Sequence, residues 1–424
     1  MMLLVGILLL SSLVTAKGHA HTGGHTTKVT LKQTEYLAIK VVTGKQELRM
    51  ALKPPAQIQR NAASQSAVSQ TEPGTPSTAY LVNVQIGKDN VDLVIDTGSS
   101  DTFCVSKDFK CTDKAGNSID LSACRFGKSC DSARTRFSPG SAFFSARYGD
   151  GENLKGYPFL DDVHVSNVSS IDQVVSLATS GYWTGDSISS GILGLGIGTT
   201  SVFAEPNPSD SSARVVYQPF VKKLLLDHKL PKGLFSMAVT RQSTGQTSGA
   251  LAFGGRPHGV KLFGQSTCVH MVDMNGNPTK EPKQYQIKID KIKIGNVVVA
   301  GSEDQIALID SGTSLISAPE TVATQIAQAW AAGTPSISIT IGKVDFMLRA
   351  EDLVTMYEGK KTSTFVPMPK TSENQAFIFG DVFLRSVLAV FDVKHSRMMF
   401  TSTNEVQHTG QQPLSEAIYT CHHH

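Results

Sequence analysis

Val94-Ile95-Asp96-Thr97-Gly98-Ser99-Ser100 is followed far down the chain by a second version of itself, Leu308-Ile309-Asp310-Ser311-Gly312-Thr313-Ser314. In both, an apolar run of strand-forming residues ends on an aspartate, turns through a glycine and continues in small hydroxyl residues. A motif this short carries little by itself. Two copies, half a chain apart and with the same lead-in, point to two carboxylates delivered to one place by two strand ends. Carboxylates held that close share one proton, because both cannot ionise cheaply.

Working outward from the first copy, YLVNVQI at 80–86 alternates as a strand, Gly87-Lys88-Asp89-Asn90 turns it, and 91–95 returns to Asp96 as the second arm of a hairpin. Cys104, Cys111, Cys124 and Cys130 follow at once. Clustered cysteines in a secreted chain argue for disulfides, and the spacing C-x6-C-x12-C-x5-C lacks the paired C-x2-C of a zinc knuckle. Three pairings are possible. The nested one is expected, with Cys111–Cys124 inside Cys104–Cys130, closing a surface loop. Cys268 and Cys421 are left open, either bonded to each other or free. The stretch 143–156 reads as a hairpin with Tyr148-Gly149-Asp150-Gly151 at its tip. Asn167-Val168-Ser169 is a glycosylation sequon and fits an exposed surface.

SGILGLGIG at 190–198 lacks the Lys-Ser/Thr of a phosphate loop and the G-x-G-x-x-G spacing. It reads instead as a buried strand through Ile192-Leu193 whose glycines allow close backbone approach. Ile378-Phe379-Gly380 echoes it in the second half. Elsewhere, 216–228 has helical spacing, 234–240 and 249–255 read as strands, and 285–294 and 297–300 are strands around Gly295-Asn296. The stretch 319–330 reads as a helix with Pro in its first turn, and 377–391 as strand, one turn of helix, strand. The fold class is all-β.

At 424 residues, 40% of them hydrophobic and with 36 Gly, the chain is long enough for two or three domains with real cores. Its 18% charged content and its Gly, Ser and Thr favour β structure over helical bundles. A net charge of +3 gives no reason to expect a nucleic-acid partner. Residues 1–16, MMLLVGILLLSSLVTA, read as a secretory signal peptide, too short to span a membrane, and no later stretch is a spanning candidate. No apolar C-terminal tail calls for a lipid anchor. The segment 17–76 carries eight Lys and Arg against three acids, leaving 31 bases and 33 acids of the chain's 39 and 36. A basic block ahead of an acidic body suits a masking segment, held over cleft carboxylates until low pH protonates them. Within it, 29–42 is apolar enough to order as a strand, and 59–76 is a Ser/Gln/Thr/Pro-rich linker suited to cleavage. No H-E-x-x-H motif is present, six of the 12 His sit at the chain ends, and His422-His423-His424 is set aside from function.

Taken together, the chain resembles pepsin-type aspartic proteases of the secreted or vacuolar fungal kind, over roughly residues 78–405. The resemblance is carried by DTGSS at 96–100, DSGTS at 310–314, YGDG at 148–151, GILGLG at 191–196 and IFGDVFLRSVLAVFD at 378–392. It implies a bilobal, almost all-β fold with a long cleft between an N-terminal lobe, 77–256, and a C-terminal lobe, 257–424. It also implies a monomeric, secreted endopeptidase made as a zymogen, with delivery to a vacuole as the alternative. Its partners would be protein and peptide substrates and its own propeptide, 17–76, as an intramolecular inhibitor, with no membrane, metal or cofactor. Asp96 and Asp310 would be the catalytic pair. Thr97 and Ser311 would cross-link the two loops, Ser99 and Thr313 would bond the outer carboxylate oxygens, and Gly98 and Gly312 would complete the turns. Tyr148, Gly149 and Asp150 would form the tip of a flap over the substrate, and Ile192, with Trp183, would line pockets for bulky apolar side chains. Asp150, where such enzymes often have Thr, would add a preference for Lys or Arg before the cut.

The chain departs from the family pattern at three positions. Phe103 stands where Trp is usual, removing an indole N–H that helps hold the flap tyrosine. Ser311 stands where Thr is commoner, and Ser190 where Asp is usual. None of these removes a catalytic group. The reading from a different class is an inactive pepsin-like binding protein, set against the presence of both aspartates and Tyr148.

Overall fold

The computed structural model describes residues 26–34, 37–44, 77–131, 142–148, 151–198, 200–204, 214–240, 247–333, 336–357, 360–368, 377–403 and 417–422. Strands dominate these residues. The α-helices among them are Phe220–Leu226, Glu320–Ala332 and Asp381–Leu384. None is long and apolar enough to cross a membrane.

The hairpin that ends on Asp96 shows how local sequence builds the frame. In Ser77–Ile86, Val82, Val84 and Ile86 are buried while Asn83 and Gln85 are exposed, a period of two that ends at Tyr80 and Leu81, which are both buried. Its partner Asp89–Asp96 runs antiparallel in the register Leu81↔Val94 through Ile86↔Asp89. The turn is tighter than the four residues expected: Gly87 and Lys88 close it, with Gly87 at φ 56°.

These strands belong to one long, strongly crossed sheet. From Asp89–Asp96 it runs outward through Gly191–Gly194, Phe103–Cys111, Val168–Tyr182, Asn153–Val165 and Phe143–Arg147. In the other direction it passes Ser77–Ile86, Leu37–Gly44, Thr247–Phe253, Leu234–Val239, Val387–Asp392, Arg397–Thr403 and Leu262–His270. Strands from early and late in the chain therefore share one sheet. Three smaller sheets complete the second half: Gln286–Lys288, Ile306–Ile309, Phe377–Phe379, Ile316–Ala318 and Phe365–Pro367 in one, Val297–Val298, Lys291–Ile294, Ile337–Ile341 and Val344–Met347 in another, and the pair Val354–Tyr357 and Lys360–Ser363 in the third. One continuous core runs under all of them, with Phe235 stacked on Phe391 at 4.5 Å and Tyr285 edge-on to both. A separate aromatic cluster of Phe103, Phe109, Phe144, Trp183 and Ile192 lies beneath the 143–156 hairpin.

Several expected elements change their bounds. The helix read over 216–228 is Phe220–Leu226, beginning after Pro219, which supplies no side-chain cap, and leaving Val216 exposed. The helix read over 319–330 is Glu320–Ala332, again entered from a proline. The stretch 29–42 is not one strand. Thr26–Leu31 pairs with Ala417–His422, Gln33–Thr34 lies beside Arg256–Pro257, and Leu37–Gly44 enters the long sheet. The cysteines pair as Cys104–Cys130, Cys111–Cys124 and Cys268–Cys421, with Cα separations of 6.1, 5.9 and 4.9 Å. The last bond resolves the pairing that spacing left open. It ties the strand Ala417–His422 to Leu262–His270, which it also flanks in parallel.

Candidate active site

The site begins with two strand ends. Ile95 and Asp96 lie beside Leu193 and Gly194 in a parallel pair, and Ile309 lies beside Phe379 in another. Leu195 N–H donates to Asp96 O at 2.7 Å, and Asp310 N–H donates to Phe379 O at 3.1 Å. The glycine-rich stretch at 190–198 thus backs the first aspartate loop, and 377–380 backs the second. The glycines are sterically required. A Cβ on Gly196 would stand 2.4 Å from Ser99 O, and one on Gly380 2.0 Å from Thr313 O.

The two loops grip each other reciprocally. Thr97 N–H donates to Ser311 Oγ at 3.1 Å, and Ser311 N–H donates to Thr97 Oγ1 at 2.9 Å. Each hydroxyl in turn donates across the interface, Thr97 Oγ1 to Ile309 O and Ser311 Oγ to Ile95 O, both at 2.9 Å. Both residues are 1% exposed, so all four bonds lie away from water, where an unmade one costs most. Serine at 311 costs the grip no bond, because the hydroxyl is what it uses.

The grip brings the carboxylates face to face. A Cβ on Gly98 would lie 2.4 Å from Asp310 Oδ1, and one on Gly312 2.6 Å from Asp96 Oδ1, so each loop's glycine makes room for the opposite aspartate. Asp96 accepts from Gly98 N–H at 2.8 Å, from Ser99 N–H at 3.2 Å and, on its other oxygen, from Ser99 Oγ. Asp310 accepts from Gly312 N–H at 2.9 Å and from Thr313 Oγ1 at 2.6 Å. Burial first, and then the Asp310 charge beside it, push the Asp96 carboxyl up to about 7, against the pull of the Ser99 and Gly98 hydrogen bonds. Asp96 therefore holds its proton to a higher pH than an ordinary carboxyl.

Behind the loops lie groups that sequence reasoning passed over. Asp101, five residues past Asp96 and buried, accepts from Tyr217 OH at 2.5 Å and from Ser201 N–H at 2.9 and 3.0 Å. Burial pushes its carboxyl up. Tyr285 OH donates to Leu195 O at 2.8 Å, a second link between early and late parts of the chain. Behind the other loop, Arg385 donates to Asp352 at 2.9 Å and to Tyr80 OH at 2.9 Å, and lies 3.8 Å from Asp381, whose N–H donates to Thr313 O. A single-residue signal, an aspartate and an arginine inside an apolar run, marked Asp381 and Arg385, and nothing local marked the others.

Tyr148 is half-buried at the edge of the aromatic cluster, its ring edge-on to Trp183 at 5.7 Å. Trp183 is edge-on to Phe103 at 5.8 Å and stacked on Phe126 at 5.5 Å. An indole ring therefore flanks Tyr148, supplied by 183, but its N–H has no hydrogen-bond partner among the described residues, so it does not replace the donor that Phe103 lacks. Ile192 is buried in the same cluster. Glu152, beside the hairpin tip, ties it down by accepting from Thr184 N–H at 2.7 Å. Gly149 and Asp150 lie outside the described residues. Asn167 is exposed in the turn between Asn153–Val165 and Val168–Tyr182. Ser190 is buried, and its Oγ has no hydrogen-bond partner among the described residues. Among the described residues no group of three or more His, Cys, Asp and Glu is arranged to hold a metal ion.

The family model for eukaryotic aspartyl proteases matches residues 79–403. A probable aspartic-type endopeptidase of Aspergillus fumigatus is 27% identical over 92% of this chain and 91% of its own length. Rhizopuspepsin-3 of Rhizopus niveus is 29% identical over 74% of this chain and 76% of its own. The crystal structure of aspartic proteinase from Irpex lacteus matches the fold with a TM-score of 0.60 at 18% identity, over 78% of this chain and 96% of that one.

Proposed function

The chain belongs to the eukaryotic aspartyl protease family, and on that premise we propose that it is a secreted, acid-acting endopeptidase in which Asp96 and Asp310 share a proton and activate water. The ionised member takes a proton from a water bound between them. That water attacks the scissile carbonyl carbon as the protonated member donates to the carbonyl oxygen. The tetrahedral intermediate then collapses with proton transfer to the leaving amine, so no acyl-enzyme forms. Which aspartate holds the proton is a property of the pair. The observation that carries this reading is the reciprocal grip, which leaves two carboxylates facing each other across glycines.

The finer parts rest on separate support. Secretion rests on the signal-like stretch 1–16 and on three disulfides, which persist in oxidising compartments. Zymogen synthesis, with 17–76 as an intramolecular inhibitor, rests on its basic charge ahead of an acidic body. Lobes at 77–256 and 257–424 would flank the cleft, and the working enzyme would be a monomer. Bulky apolar residues around the cut are favoured by the cluster of Phe103, Tyr148, Trp183 and Ile192. A carboxylate at Asp150 would add basic residues before the cut. Asp150→Thr is then expected to reduce cleavage after Lys about tenfold more than cleavage after Phe, and equal losses would remove Asp150 from the specificity reading.

The test of the main reading is digestion of a denatured globular protein between about pH 2.5 and 7, with and without pepstatin, beside Asp96→Asn. Acid-limited cleavage, blocked by the inhibitor and lost in the variant, is the expected result. No cleavage at any pH from protein freed of its propeptide would favour the binding-protein reading instead.

A further inference from the structure

Phe143–Arg147, the strand that runs into Tyr148, has Asn153–Val165 on one side and a short tab of chain on the other. In the tab, Val202 lies opposite Phe144 and Phe203 opposite Phe143. Ser145 N–H donates to Ser201 O at 2.9 Å. The tab's outer edge is closed in turn by Arg214, bridged to Phe203, and by Val215 N–H, which donates to Val202 O at 2.9 Å. The Phe203 ring stacks on Phe143 at 5.5 Å, and the Arg214 guanidinium sits over it at 5.1 Å.

Both arms of the tab return to one carboxyl. Ser201 N–H donates to Asp101 at 2.9 and 3.0 Å, and Tyr217 OH donates to it at 2.5 Å. Asp101 is 5% exposed and ends the loop that begins at Asp96, in which Ser99 Oγ donates to Asp96 and Ser100 Oγ accepts from Gly198 N–H at 2.9 Å. A relay of hydrogen bonds therefore joins the Asp96 loop, through Asp101 and Ser201, to Ser145 on the arm that carries Tyr148. Tyr217 has an apolar footing, buried with Ala142, Val174 and Val202. Burial first, and then the Asp101 charge and hydrogen bond, push its phenol well above the ordinary value, and the Tyr148 charge adds to this, so the two phenols lie within reach of each other's field. Loop and arm also touch where Phe103 meets Phe144 at 5.8 Å, but that contact is apolar and fixes no direction. The directional link is the carboxyl.

We propose that Asp101 is a positioning residue, which through Ser201 and Tyr217 sets where the flap arm, and with it Tyr148, stands over Asp96 and Asp310. The inference rests on the protease reading and on the 143–156 hairpin as its flap, and it names what registers that flap to the catalytic loop. The reciprocal grip of Thr97 and Ser311 does not involve Asp101, so the carboxylate pair keeps its geometry when this anchor is lost. The loss falls on the hold over substrate, not on the chemistry.

The chain has two tryptophans, Trp183 against Tyr148 and Trp330 on the helix Glu320–Ala332, so in a Trp330→Phe background emission reports on the flap side alone. In that background Asp101→Ala, Asp101→Asn and Tyr217→Phe are compared with the parent in two ways. One is steady-state kinetics on a synthetic peptide spanning a cleavage site mapped in the digestion above; the other is acrylamide quenching of the free, folded protein. Asp101→Ala is expected to raise KM about tenfold with kcat within about threefold of the parent, and to raise the quenching constant about twofold or more. Asp101→Asn, which keeps an acceptor oxygen, is expected to recover most of both. Should Asp101→Ala fail to fold, Tyr217→Phe carries the test, with about a threefold rise in KM and a smaller rise in quenching. A fall in kcat at unchanged KM, unchanged quenching in the folded variants, or Asp101→Asn no better than Asp101→Ala overturns the proposal. Failure of the underlying reading shows separately. A parent that cleaves nothing, or a Tyr148→Ala variant with unmoved KM, removes the protease or the flap, and quenching alone then decides whether Asp101 anchors the arm.

Discussion

The two aspartate loops are nearly the same object in backbone and unlike in what stands behind them. Each has a gripping hydroxyl, a glycine facing the other's carboxylate and a hydroxyl on its own outer oxygen. Behind Asp96 sits a buried carboxyl, Asp101, held by a phenol and a backbone N–H. Behind Asp310 sit two fully buried carboxyls, Asp352 and Asp381, answered by the guanidinium of Arg385. Asp96 itself is 6% exposed while Asp310 is half-buried. The chemistry needs the loops to match, and the match is in their hydrogen bonds. Their electrostatic backing is free to differ, because it acts on stability and on the pair's shared proton rather than on the reacting atoms.

That comparison can be broken at its front or at its back. At the front, Asp96→Asn and Asp310→Asn should each lower kcat by about a thousandfold or more, since either change removes the acid–base pair. A kcat above a tenth of the parent in one of the two would show that the loops are not equivalent where it matters.

At the back, the largest effect is expected at Arg385. Arg385→Met leaves Asp352 and Asp381 buried without their cation, and about 3–5 kcal/mol of stability should be lost in urea unfolding. A cost under 1 kcal/mol would mean that water reaches the cluster.

The pH dependence of stability comes next and has a definite sign. Below about pH 4 both folded and unfolded chains hold the Asp96 proton, and its contribution is fully present. Between that pH and about 7 the unfolded chain releases a proton that the folded one keeps, so stability falls as pH rises. The slope approaches about 1.4 kcal/mol per pH unit for one group. Asp101, raised by burial as well, contributes with the same sign. Denaturant midpoints measured from acid to neutral should therefore drop less in Asp96→Asn than in the parent, and equal drops would remove Asp96 as the source.

Tyr217→Phe should do least, about 1–3 kcal/mol, by stripping the phenol from a carboxyl that still has Ser201 N–H. A loss as large as that at Arg385 would erase the distinction between the two backings.

Much of this was legible because it is local. The loops, the strand that backs each of them and the hairpin ending on Asp96 are written in period and in glycine placement over a few residues. The nested cysteines lie close enough in the chain for loop closure to favour them. Tyr217 and Asp101 are 116 residues apart, Tyr285 and Leu195 are 90, and Cys268 and Cys421 are 153. Nothing in the neighbourhood of one residue names a partner at that distance. The segment 29–42 was legible as strand-forming but not as three strands, because edge and interior positions are chosen by which ladders are open. Trp183 was legible as a pocket residue but not as the neighbour of Tyr148. Phe103 was compared with what stands at its own position elsewhere, while the indole that meets Tyr148 comes from a strand end far downstream.

The grip has a kinetic side. Its four hydrogen bonds join residues 212 to 216 apart in sequence, and none of them exists until strands from both halves have taken their final register. Contacts of such separation come late in folding, because the chain between them must be ordered first. A partly folded molecule therefore has hairpins and half a core but no shared proton. On the proposed chemistry, a chain that has not yet closed the grip has no paired carboxylates with which to cut.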